Sequence, residues 1–105
     1  MKISFEDKNL KELIENGKNS KYKKFSRDRS FMNGLSRVVA TLSAVSCCND
    51  LRMFSWLHYE QLRNVGVSSV RVLNGRVERL IFRELNDGIE IVLIELNTTH
   101  YGNKK

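Results

Sequence analysis

The residues of this chain best suited to chemistry are its arginines and one histidine near the C-terminus. Arg71 stands in VSSVRVL (67–73), Arg79 and Arg83 stand in VERLIFREL (77–85), and His100 sits beside Tyr101 in the polar tail TTHYG (98–102). A guanidinium is a planar fork that grips phosphate oxygens in pairs, and an imidazole titrates near neutral pH. Together they suit an anionic substrate and acid–base work on it. Cys47 and Cys48 are adjacent and are the only cysteines. Neighbours cannot staple a fold, and zinc would require them to join His58 and His100 at a spacing that fits no usual zinc pattern. We expect no metal, no cofactor and idle or buried thiols.

Where the arginines point depends on strand register. Three runs, VSSVRVL, VERLIFREL and GIEIVLIELN (88–97), are joined by Leu73-Asn74-Gly75-Arg76 and Leu85-Asn86-Asp87-Gly88. Asn-Gly and Asp-Gly between β-rich runs signal hairpins, so the three form an antiparallel meander. Side chains alternate faces along a strand, which separates Leu80 and Phe82 from Arg79, Ile81 and Arg83, and Val70 and Val72 from Ser69 and Arg71. A tight Asn74-Gly75 turn would set Val70 opposite Arg79 and drive an arginine among core valines, which is costly if the charge is unpaired. An odd loop, Leu73-Asn74-Gly75 with Gly75 left-handed, instead gathers Val70, Val72, Leu80 and Phe82 on one face. Arg71, Arg79 and Arg83 then line the other face beside Ser69, and Glu78 and Glu84 lie opposite them. Arg79 to Arg83 would span about 13 Å, at ~3.3 Å per residue.

The rest of the chain must cover the apolar face. Residues 1–6 alternate Ile3 and Phe5 with polar neighbours and read as a short strand. Asp7 can cap a helix with apolar Leu10, Leu13 and Ile14, and Gly17 stands where a helix stops. The lysine-rich stretch from Lys18 to Lys24 reads as a solvated connector or a basic rim. A second helix runs from Arg27 or Ser30 to Ser46, with Phe31, Leu35, Val38, Leu42 and Val45 in one core stripe and Arg27, Arg29 and Arg37 outside it. Asn49 or Asp50 caps a short turn, and Trp56 and Leu57 close the helical half. GIEIVLIELN is apolar on both faces, so we expect it inside the sheet, pairing with residues 1–6. The expected fold is α+β, with an N-terminal strand, two helices, then a three-stranded antiparallel meander, the helices on one face and the other left free.

Composition agrees with one soluble domain over residues 1–105: 41% hydrophobic and 29% charged. The longest apolar run, Ile91-Val92-Leu93-Ile94, is too short to span a membrane, and the opening residues lack a secretory h-region. The expectation is a cytoplasmic protein with no membrane partner. A net charge of +6 calls for an anionic partner. Lysines occupy residues 2–24 and the last two positions, whereas all basic residues from Arg27 to Arg83 are arginines.

The order of elements and SSVRVLNGRVERLIFREL…IVLIELNTTHYG resemble the HigB-type toxins, or plasmid-maintenance killer proteins, of the RelE/ParE superfamily. The matching pieces are the opening ISFEDKNLKEL, Leu62-Arg63-Asn64, Ser69-Val70-Arg71-Val72, Arg79-Leu80-Ile81-Phe82 and His100-Tyr101. The family's glycine after that leucine is replaced by Asn64, and the turn is shorter. The resemblance implies a type II toxin that cleaves messenger RNA in the ribosomal A site. It also implies a cognate antitoxin of helix-turn-helix type, through which the complex binds operator DNA.

By position, the resemblance makes Arg79 the phosphate-gripping strand arginine, Arg63 the basic residue after the leucine, and His100 the terminal histidine. Glu60 stands where some members place a histidine, with His58 nearby. The implied reaction uses no metal: the RNA 2′-hydroxyl attacks its own 3′-phosphate, a base takes its proton and an acid protonates the leaving 5′ oxygen. Arg79, with Arg71 or Arg83, would stabilise the phosphorane. His100 leads as acid–base group, followed by Glu60 and His58, and Tyr101 could stack on RNA bases. Two rivals share the fold: a non-catalytic ParE-like toxin that binds DNA gyrase, and an inactive remnant that binds an antitoxin.

Overall fold

Alternating Ile3 and Phe5 build β1 (Lys2–Phe5), which lies parallel to the last strand, β5 (Glu90–Asn97), with Ile3 beside Ile91 and Phe5 beside Leu93. The computed structural model describes residues 1–98; His100 and Tyr101 therefore lie outside the described residues. Helix α1 (Lys8–Asn16) opens on Asp7, whose carboxylate accepts from the Asn9 N–H, and closes on a left-handed Gly17.

The lysine-rich connector is partly helical rather than a solvated loop. It contains α2 (Lys23–Ser26) and turns Tyr22 and Phe25 inward. Helix α3 (Arg29–Ala44) begins at Asp28, whose carboxylate accepts from the Phe31 N–H. Its stripe of Phe31, Leu35, Val38 and Leu42 is fully buried, each side chain stabilising by roughly 1.5–3 kcal/mol relative to exposure. Two 3-10 turns, Cys48–Met53 and Ser55–Leu57, bury Leu51 and Leu57 beneath the sheet.

Among the described residues, five strands make the sheet, in the order β1-β5-β4-β3-β2. A strand absent from the sequence reading, β2 (Glu60–Leu62), pairs with β3 (Val67–Arg71) and extends the meander by one. Three residues with no apolar alternation leave almost no signal. Between β3 and β4 (Arg79–Leu85), Val70 faces Leu80 and Arg71 faces Arg79. The odd loop parity holds, but the loop runs from Leu73 to Val77, closed by the Val72 N–H donating to the Glu78 carbonyl. Arg76 explains the extra length: it donates to Asp28 and to Glu78, at 3.1 Å each, and so ties the loop to the cap of α3.

Strand β5 lies between β1 and β4, as its two-faced apolarity suggested, and a bulge adds a second reason for that pattern. Leu80 faces Leu96 and Ile81 faces Glu95, but Phe82 faces Leu93, so the register skips Ile94. The skip changes which parity points at the helices, bringing Leu96 and then Leu93 and Ile91 into one core. That core unites α1, α2 and α3 with Val70, Val72, Leu80 and Phe82 on a single sheet face. Among the described residues, no helix is long and apolar enough to cross a membrane.

Candidate functional site

On the face away from the helices, strand parity places Ser69, Arg71, Arg79, Ile81 and Arg83, as the loop argument required. The expectation of a solvent-open face is corrected at its centre. Ser69, Ile81 and Arg79 are buried, at 0%, 1% and 6% exposure, and Ile81 lies outside the helix-side core. Arg79 is clamped by its own donors: Nε gives to Ser69 Oγ at 2.8 Å and Nη2 gives to the His58 carbonyl at 2.5 Å.

Two more groups meet Arg79. Arg71 is its cross-strand partner, an arrangement of like charges that sheets ordinarily avoid. Glu60, opposite Ser69 in the β2–β3 ladder, brings Oε1 to 4.0 Å from Arg79 Nη2. Burial is the main force lowering the Arg79 pKa; Glu60 opposes it and the Arg71 charge adds to it. The guanidinium nonetheless stays charged, because an arginine in a protein is not deprotonated. The Glu60 side chain is 60% exposed. Arg71 Nε is buried and has no hydrogen-bond partner among the described residues. One guanidinium is thus fixed, its neighbour has a free donor, and an accessible carboxylate stands alongside. Such a set can hold a phosphate and exchange a proton beside it.

The predicted residues divide by position. Arg79, Arg71 and Glu60 come together. His58 joins them through its backbone: it adopts a left-handed conformation (φ 48°, ψ 48°), its carbonyl faces Arg79, and its side chain is exposed. Arg83 lies farther along β4, exposed, and donates to Glu6 Oε1 at 3.1 Å. Arg63 stands in the tip between β2 and β3, at the far end of the ladder from Arg71. Glu78 and Glu84 do keep to the other side, as expected, but Glu6 and Glu60 supply counter-charges that parity did not foresee.

Sequence reasoning missed the clamp partner Ser69 as a functional contact, and also a second polar cluster around Glu84. There Tyr59 and Ser68 donate hydroxyl hydrogen bonds to Glu84 Oε2, the latter at 2.6 Å. Tyr59 also stacks on Phe82, with ring centroids 6.4 Å apart. Burial raises the Tyr59 and Cys48 pKa values, and in both cases Glu84 adds to the rise; the Cys48 thiol is pushed up to about 12. The one available signal was the Ser68-Ser69 pair, which must send one hydroxyl to each face of β3. Among the described residues, no group of three His, Cys, Asp or Glu side chains is assembled to hold a metal.

Comparison with protein-family models, curated proteins and solved structures finds no match to this chain.

Proposed function

We propose that the protein is a type II toxin with a RelE/ParE-like fold, acting as a ribosome-dependent messenger-RNA endoribonuclease. The observation that carries this reading is the cross-strand Arg71–Arg79 pair with Glu60 beside it. The charge of Arg71 disfavours that of its cross-strand partner Arg79, Glu60 offsets this only in part, and an anion bound beside the pair would relieve it further. A phosphorane, with its extra negative charge, gains most from such preorganised donors.

In this reaction the RNA 2′-oxygen attacks the adjacent phosphorus while the bond to the 5′ oxygen breaks. The products are a 2′,3′-cyclic phosphate and a 5′-hydroxyl. In this reading Glu60, whose carboxylate lies 4.0 Å from Arg79 Nη2, accepts the 2′-hydroxyl proton, and His100 protonates the leaving oxygen. With so few titratable groups, the ribosome supplies much of the rate by positioning the message. A cognate antitoxin of helix-turn-helix type is the expected silencing partner.

Induced expression followed by mapping of message 5′ ends tests the reading. Wild-type protein should give cuts phased to the A site. Arg79→Ala should abolish them, Arg71→Gln should do so with less disturbance of the fold, and His100→Ala should weaken them. Intact messages under growth arrest would sink the nuclease.

A second reading draws on one observation: Arg79 is committed to Ser69 and His58 rather than free. A clamped arginine suits a rigid protein-binding surface, as in a non-catalytic toxin that binds DNA gyrase. DNA breaks with intact messages would favour it, and harmless expression would favour an inactive antitoxin-binding remnant.

A further inference from the structure

Residues 18–29 carry Lys18, Lys21, Lys23, Lys24, Arg27 and Arg29, with Asp28 the only acid among them. Asp28 is occupied by Arg76 at 3.1 Å, and Lys21 lies 3.7 Å from Asp7. The other cations form no ion pair among the described residues. Three of them, Lys18, Lys23 and Arg27, line one concavity of about 430 Å³ together with Asn19, Ser20 and Ser26.

The backbone that carries these charges is anchored. Asn19 is 7% exposed; its Nδ2 donates to Asn9 Oδ1 at 3.0 Å and to Glu12 Oε1 at 2.7 Å. Its Oδ1 accepts from the Lys21 and Tyr22 N–H groups at 2.9 and 3.1 Å. Tyr22 and Phe25 pin the same segment from beneath. Like charges are therefore held around one hollow whose lining, among the described residues, includes no acid; Glu12, bonded to Asn19, is the carboxylate alongside, and a polyanion relieves the remaining repulsion.

The occupant follows from what the surface lacks. Protein interfaces are anchored by exposed aromatic or large apolar side chains. Here both aromatics face inward, and the exposed large apolar residues, Met53, Val65, Val77, Leu85 and Ile89, all lie elsewhere. Lysine point charges that meet phosphates without reading bases suit a folded nucleic-acid backbone. The connector also belongs to the helix layer, whereas Arg71 and Arg79 lie on the opposite sheet face.

We propose that the Lys18–Lys23–Arg27 concavity is a second phosphate site, which grips the backbone of folded RNA by charge alone. The choice of RNA over DNA rests on the ribosome reading above; the site itself does not. Fluorescence anisotropy of the full chain with a 2′-O-methyl RNA hairpin tests it, because that hairpin lacks the attacking hydroxyl and so reports binding alone. The dependence of log affinity on log salt should fall by about two on replacing all three residues (Lys18→Gln, Lys23→Gln, Arg27→Gln), with affinity down roughly tenfold or more near 0.1 M salt. Each single substitution should lower the slope by less than one, which keeps the test sound if the triple variant folds poorly. An unchanged slope in variants that keep the wild-type melting temperature would overturn the site. Tighter binding of a DNA hairpin, of polyglutamate or of anionic vesicles would overturn the RNA assignment. Binding with this slope but no message cutting sinks the nuclease and leaves the site; cutting with an unaltered slope does the reverse.

Discussion

The Ser69 hydroxyl is fully buried and accepts from Arg79 Nε at 2.8 Å, so a small side chain holds the buried charge on the sheet face. Ser69→Ala would leave a buried charged donor without its acceptor, at a cost of about 1–3 kcal/mol. The expected result is a lower urea midpoint with an unchanged slope of stability against denaturant. Equal stability would mean that the clamp does not hold Arg79. Parity along β3 and β4 was readable from single letters, and it put Arg71, Arg79 and Ser69 on one face. That Arg79 is buried there was not readable, because it depends on a carbonyl at His58 delivered by a left-handed turn far away in sequence. Glu60 was named from resemblance alone, since the strand that presents it carries no pattern of its own.

Among the elements, α3 approaches the end of β3 tightly at Gly34. A Cβ added at Gly34 would meet the Val72 carbonyl oxygen at 2.9 Å and the Leu73 side chain at 3.1 Å. Alanine favours a helix over glycine by roughly 1 kcal/mol. Backbone against backbone cannot yield as a flexible side chain would, and overpacking costs about 1–3 kcal/mol. Gly34→Ala should therefore lower the melting temperature by several degrees; a rise would show that the strand end moves freely. The helical stripe itself was plain in sequence, because Phe31, Leu35, Val38 and Leu42 repeat at helical spacing. The bulge in β5 was not, since two apolar faces in a strand signal burial on both sides as readily as a change of parity.

For the molecule as a whole, three groups among the described residues make stability fall at high pH. The Cys48 thiol is pushed up to about 12, chiefly by burial, and burial likewise raises Tyr59 and Tyr22. A group with a raised folded pKa keeps its proton in the native state after the unfolded chain has released it. Stability is then complete below the unfolded values, about 8.5 for cysteine and 10 for tyrosine, and is lost as pH climbs toward the folded ones. Melting temperature should hold to about pH 8.5 and then decline, with a shallower decline in Cys48→Ala. A flat profile to pH 11 would contradict the burial of these groups. Native Cys48 should also resist alkylation at pH 8.5 and react once unfolded.

Local order, the α+β class and the side of the sheet for the residues of β3 and β4 came from the chain's own letters. Period two, period 3.6 and the hairpin dipeptides are short-range properties that need no partner. Tertiary structure alone decided what those residues meet. Arg76 reaches back to Asp28 and lengthens a loop; Arg79 finds Ser69 and the His58 carbonyl; Arg83 finds Glu6. Each of these joins residues from different elements, and no local pattern encodes a distance across the fold.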